Sequence, residues 1–260
     1  CFLTKVGADE AGDYYRAAAA SAGVDVSPFK VSQQTPTGCC LSLITPDSQR
    51  TMRTFPGASA TLTAEDVGLA DFEGYSHAHL EGYLLFDEPL FLHLLTSARA
   101  AGCCIALDLA AREVVLAARP RLPQLLERYV DIVFANEDEA AAFSGQGSEL
   151  AALGKLAGLC EIAVVKLGAR GALVQRGKEV AQIEAPSVRA VDSTGAGDLW
   201  AAGFLCGLLN GASLSQAGQI GAALGAAVVQ VTGAVLPEDT WVQLANCTRT
   251  LMPLNSTRGS

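Results

Sequence analysis

Residues 131–143, Asp131-Ile132-Val133-Phe134-Ala135-Asn136-Glu137-Asp138-Glu139-Ala140-Ala141-Ala142-Phe143, join a short apolar run to a cluster of acids and then to small apolar residues. An unbroken apolar run of this length reads as a strand buried on both faces, here 131–135, and the acids behind it read as the opening of a helix over 137–143. The alternation continues in both directions. Upstream, strand 76–80 leads to helix 88–101, and strand 103–107 leads to a helical stretch 112–128 that Pro120 and Pro123 must interrupt. Downstream, 162–167 reads as a strand, and 171–175 with 179–183 as an antiparallel edge hairpin turning at Arg176-Gly177-Lys178. The last third holds two helices, 197–209, closed by Asn210-Gly211, and 213–229. Strands alternating with helices predict an α/β fold, a mostly parallel sheet with helices on both faces.

The N-terminal part is patterned differently. Cys1–Val6 reads as a short apolar strand, 9–20 as a polar helix ending near Gly23, and 38–45 with 51–55 as a hairpin around Pro46-Asp47-Ser48. A hairpin is therefore expected here, inside one domain spanning 1–245. Residues 246–260, mostly Ser, Thr, Asn and Arg, read as a flexible tail.

Composition removes several classes of function. The 260 residues carry 18 Lys and Arg against 27 Asp and Glu, a net charge of −9, so binding nucleic acid by phosphate neutralisation is disfavoured. The longest apolar runs, 200–209 and 220–229, are too short to span a membrane and read as buried helices. Eight cysteines, none at C-x-x-C spacing, and three histidines not paired with them argue against a disulfide framework and a zinc site. A reducing, cytoplasmic setting is expected.

Chemistry concentrates in Val191-Asp192-Ser193-Thr194-Gly195-Ala196-Gly197-Asp198, which runs straight into the apolar helix. Small residues at a helix start leave backbone N–H groups uncovered, and the aligned peptide dipoles add positive potential, which together make a seat for an anion. Asp198 in the first turn is placed to take a proton from a hydroxyl attacking a phosphoryl group held there. Helix capping and close packing would produce the same residues. Two further segments supply context. Asn136-Glu137-Asp138-Glu139 puts carboxylates beyond the carboxyl end of a strand, where parallel sheets hold ligands, although capping also explains it. Lys166-Leu167-Gly168-Ala169-Arg170-Gly171 closes another strand, with glycines that let the backbone approach a nucleotide or simply form a tight turn. A Walker loop fails because Glu179 stands where Ser or Thr is needed, and a Rossmann fingerprint is absent.

In order, Asn-x-x-Glu, Lys-Leu-Gly-x-x-Gly and Asp-Ser-Thr-Gly-Ala-Gly-Asp resemble the motifs of the ribokinase-like (PfkB) family of carbohydrate and nucleoside kinases, over nearly the whole chain. Pro36-Thr37-Gly38, 50–55 and Gly57-Ala58 resemble the lid-hairpin region. Glu81-Gly82-Tyr83-Leu84 with 131–139 is most similar to the adenosine-kinase-like branch. The resemblance implies a three-layer α/β/α fold with a small β lid at about 31–55 and an ATP-dependent phosphotransferase acting on a sugar alcohol group. The alternatives are an adenosine or other nucleoside kinase and a non-catalytic nucleotide- or sugar-binding relative.

By position, the resemblance makes Asp198 the base and Gly195, Ala196 and Gly197 the anion hole. Asn136 and Glu139 would organise Mg²⁺ around the ATP phosphates, Lys166, Gly168 and Gly171 would border the nucleotide, and Glu81 would face the acceptor. Asp192 and Thr194 match positions that hold a monovalent cation such as K⁺ in many relatives. The family's opening strand with a substrate-binding Asp, and its Gly-Gly-x-x-x-Asn motif, have no counterpart before Val6-Gly7-Ala8-Asp9. The chain is thus expected to lack an N-terminal part, and the exposed edge to favour a homodimer.

Overall fold

The computed structural model describes residues 1–45, 50–145 and 147–252. Its contacts divide the described chain into two compact units, one built from 1–43, 51–78 and 84–105 and the other from 44–45, 50, 79–83 and the described chain from 106 onward.

In the first unit, β1 (Lys5–Gly7) precedes α1 (Glu10–Ser21), and β2 (Lys30–Ser32) pairs with β1 in parallel, Val6 opposite Val31. Asp9 caps α1, accepting from the Gly12 N–H at 2.8 Å, and its other oxygen accepts from the Thr37 N–H at 2.8 Å. The Lys5–Asp66 pair at 2.8 Å and the Lys30–Asp71 pair at 2.9 Å fasten these strands to the turns that follow. β3 (Cys39–Ile44) and β4 (Arg50–Phe55) form a separate two-stranded sheet. The expected lid region thus divides, because Val31 belongs with β1 and not with the ribbon. The turn expected at Pro46-Asp47-Ser48 lies outside the described residues. β3 is exposed along its whole length, Leu41 and Leu43 included.

A six-stranded sheet follows in the order β10-β9-β8-β7-β6-β5. It contains β5 (His77–Glu81), β6 (Cys104–Asp108) and β7 (Ile132–Asn136), with α2 (Glu88–Ala100) before β6 and α3 (Arg112–Ala118) and α4 (Leu122–Tyr129) between β6 and β7. Pro120 separates those two helices, and Pro123 sits in the first turn of α4, where its missing N–H leaves no bond unmade. α5 (Glu137–Ser144) and α6 (Glu149–Ala157) lead to β8 (Ile162–Lys166), and β9 (Ala172–Arg176) and β10 (Glu179–Ile183) complete the edge hairpin. β6–β7 and β7–β8 are parallel, while β8–β9 and β9–β10 are antiparallel, so the mostly parallel sheet and its edge hairpin match the sequence expectation. Residues 132–135 and 162–165 are all buried, as unbroken apolar strands require.

α7 (Ala196–Leu209) and α8 (Leu214–Val228) pack on each other, and α8 lies on β9 and β10. The two helices approach so closely that a methyl on Gly203 would sit 2.9 Å from the Gly221 Cα. Trp200 and Phe204 stack with ring centroids 5.3 Å apart, and both meet the edge of Phe134 in β7. α6 and α9 (Glu238–Leu251) go beyond the sequence expectation. Residues 246–251 continue α9, which corrects the flexible tail drawn from 246. Its Thr and Asn residues are weak helix formers, yet the helix runs on through them to Leu251. Residues 253–260 lie outside the described residues. Among the described residues no helix is long and apolar enough to cross a membrane, and all eight cysteines are free.

Candidate active site

The β7–β8 register places Asn136 beside Lys166, and the β6–β7 register sets Asp108 opposite Phe134. Parallel pairing therefore delivers three polar side chains from three adjacent strand ends, where the ladder stops and helices begin. The Lys166 ammonium donates to Asp108 Oδ2 at 2.6 Å, and both side chains are largely buried, 14% and 9% exposed. The other Asp108 oxygen accepts from the Ala110 N–H at 3.1 Å. That turn holds Ala110 at φ 65°, the left-handed region that alanine avoids.

Asn136 starts α5 with a reciprocal cap. Its side-chain oxygen accepts from the Glu139 N–H at 2.9 Å, and the Glu139 carboxylate accepts from the Asn136 backbone N–H at 2.8 Å and from its side-chain amide at 2.7 Å. Glu139 is only 2% exposed. Burial pushes its carboxyl up to about 7; the Asn136 N–H opposes the shift, Asp108 adds to it, and Lys166 opposes it.

α7 starts differently. Gly195 stands before it at φ 75°, and no side chain caps it. A methyl there would lie 2.8 Å from the Ala234 side chain, so both backbone sign and space select glycine. The preceding loop is braced by the buried Asp192 carboxylate, which accepts from the Thr194 N–H at 2.9 Å, the Thr194 hydroxyl at 2.6 Å and the Gly233 N–H at 2.7 Å. In the first turn, burial raises the Asp198 carboxyl above the ordinary range, Glu81 and Asp108 raise it further, and Lys166 and His79 pull it back. A methyl on Gly197 would lie 3.2 Å from the Lys166 Nζ, so the ammonium rests against that same turn.

A cleft of about 650 Å³ opens beside these residues. Asn136, Lys166, Gly168, Gly171 and Gly197 line it, together with the apolar Pro186, Val188, Trp200, Ala226 and Val229. The lining offers both polar and apolar contacts to a small ligand.

The residues singled out in the sequence fall into three groups. Gly195, Ala196, Gly197 and Asp198 share the start of α7, and Asn136, Lys166, Gly168 and Gly171 line the cleft with Ala196 and Gly197. Glu139 is buried and bound to Asn136, while Asp192 and Thr194 bond to each other in the loop before α7. Glu81, at the end of β5, is half exposed, with His79 Nε2 3.6 Å from its carboxylate. Asp108 and His79 are additions from the structure. An acid closing the buried strand 105–107 was the available signal for Asp108, whereas nothing in the sequence marks His79.

The pfkB family of carbohydrate kinases matches residues 1–241. The chain is 30% identical to 2-dehydro-3-deoxygluconokinase of Bacillus subtilis over 244 residues, covering 89% of this chain and 75% of that protein. It is 29% identical to aminoimidazole riboside kinase of Salmonella typhimurium over 213 residues, 78% of this chain, and spans 66% of that protein's length. Among solved structures, adenosine kinase from Sinorhizobium meliloti matches at a TM-score of 0.85 and 33% identity, over 95% of this chain and 76% of that one.

Proposed function

Since this chain belongs to the pfkB family of carbohydrate kinases, ATP-dependent phosphotransferases, we propose that Asp198 is the base of its reaction and that the uncapped start of α7 receives the transferring phosphate. The reading rests on one observation: a helix whose first amides have no side-chain acceptor carries, in its first turn, a carboxyl with a raised proton affinity. Such a carboxylate draws the proton from the acceptor hydroxyl as the oxygen bonds to the phosphorus of ATP, and ADP leaves. The amides from Gly195 to Gly197 stabilise the charge that builds on the phosphoryl oxygens. Gly168 and Gly171 admit the nucleotide backbone-close, with Lys166 at its border.

Magnesium fits this donor set as an ion carried on the phosphates. Among the described residues no group of three or more His, Cys, Asp or Glu side chains forms a metal cage, and the available donors are hard oxygens. Asn136 and Glu139 would hold its waters, and the ion when bound neutralises phosphate charge. Asp192 and Thr194 are proposed to hold a monovalent cation such as K⁺, tested by exchanging K⁺ for choline. Residues 1–245 are taken as one kinase domain with its lid at about 31–55, and the exposed Leu41 and Leu43 support a homodimer, which light scattering would detect.

The family description and the gluconate-type relative favour a sugar over a nucleoside acceptor. ADP release across neutral sugars, sugar acids and adenosine tests the reading. Turnover with a sugar is expected, and turnover with none, or with adenosine alone, overturns it.

A further inference from the structure

We propose that Asp108 is a positioning residue for Lys166, holding the ammonium at the first turn of α7 where it meets the transferring phosphate. The inference rests on the reading of Asp198 and the α7 start given above.

Lys166 ends β8 and Asp108 ends β6, with β7 between them. Two strand spacings amount to about 10 Å, so the pair closes only when the lysine stem crosses the end of β7 at nearly full reach. An ammonium spanning that gap has little freedom left, and its position is set by the carboxylate that receives it. Asp108 is itself fixed. One oxygen takes the ammonium at 2.6 Å and the other takes the Ala110 N–H at 3.1 Å, in a turn that tolerates φ 65° on an alanine. Backbone held in a sparsely populated region beside a buried charge pair points to a retained geometry, since both features oppose stability by themselves.

The destination of the ammonium is what gives the pair a role. Lys166 Nζ would lie 3.2 Å from a methyl on Gly197, at the positive end of a helix, which is a poor resting place for a cation. Asp108 offsets that repulsion. A phosphate oxygen arriving at the α7 amides gains the same ammonium as a second, charge-assisted donor. Lys166 also pulls down the proton affinities of both Asp198 and Glu139, so its placement tunes the base as well as the phosphate. The competing description is that Lys166 merely neutralises acids crowded at the strand ends. That role would make the pair matter for folding and not for turnover.

The two descriptions separate in a double-mutant cycle measured with ATP and the best acceptor of the sugar panel. Lys166→Met should lower kcat about 100-fold, the loss typical of one transition-state donor. Asp108→Asn should lower kcat about 10- to 100-fold through misplacement, with ATP affinity, read from Trp200 fluorescence, unchanged. The double variant should match Lys166→Met alone, because a residue acting through Lys166 has nothing left to act on. Normal kcat in Asp108→Asn, or a double variant that loses the product of the two single losses, overturns the proposal. If Asp108→Asn fails to fold with its ammonium stranded, the double variant against Lys166→Met makes the same decision. Asp198→Asn, measured alongside, keeps the two readings apart: its normal turnover would unseat the base assignment, whereas its loss beside a normal Asp108→Asn rejects only the positioning role.

Discussion

The helices α5 and α7 both begin at the cleft, yet they treat their first amides in opposite ways. α5 satisfies its own start, with Asn136 and Glu139 exchanging three hydrogen bonds within four residues. α7 has a left-handed glycine in the corresponding place and no side chain on its amides. α8, which starts away from this cleft, uses a Ser213–Gln216 box like that of α5. α3, α4 and α9 also begin without a side-chain cap, so it is the open start together with the polar cleft beside it that makes the α7 amides available to a ligand. A closed start offers only the outer edges of its own cap. On this difference rests the assignment of phosphate to α7 and of a water-mediated role to α5.

The comparison can be broken most sharply at Asp198. Asp198→Asn keeps the shape and removes the base, so steady-state kinetics should show a kcat loss of about 10²- to 10⁴-fold with ATP affinity little changed. Near-normal turnover would return the α7 start to a packing role. Gly195→Val should do damage of another kind, since φ 75° and the Ala234 contact at 2.8 Å both exclude it. A stability loss of about 1–3 kcal/mol in urea unfolding is expected, together with weaker ATP binding.

At α5 the effects should be thermodynamic first. Glu139 holds its proton more tightly when folded, near pH 7 against an ordinary 4.5, so the folded state binds more protons across that window. Its stabilising contribution is complete below pH 4.5 and disappears as the pH rises through about 7. Glu139→Gln should therefore flatten the fall in Tm between those values, and an unchanged slope would show that Glu139 is charged throughout. Asn136→Ala, the mildest change, should cost about 0.5–2 kcal/mol as a lost cap and raise the magnesium concentration needed for half-maximal rate. A stability loss with no change in magnesium requirement would confine Asn136 to capping.

Legibility followed the range of the interactions involved. The strands 131–135 and 162–167 and the helix after Gly195 were readable because unbroken apolar runs and a Gly-rich helix start are local signals. α9 was not, because Thr240, Asn246 and Thr248 lower its intrinsic propensity. The motif residues of the candidate site could be named in advance, each from its own few neighbours. The long-range partners could not. Asp108 lies 58 positions from Lys166, and only the β6–β7–β8 register puts their side chains in reach.

The sequence by itself determined which segments alternate as strand and helix, where the chain turns on glycine, and which acids stand at helix starts, since all of these depend on residues within a turn or two of one another. The tertiary structure alone decided that the closed start of α5 and the open start of α7 lie beside one cleft. It also set the raised proton affinities of Glu139 and Asp198 and the partner of the Lys166 ammonium. Burial and charge proximity are properties of strands brought side by side, and their energies depend on distances through space that no spacing along the chain encodes.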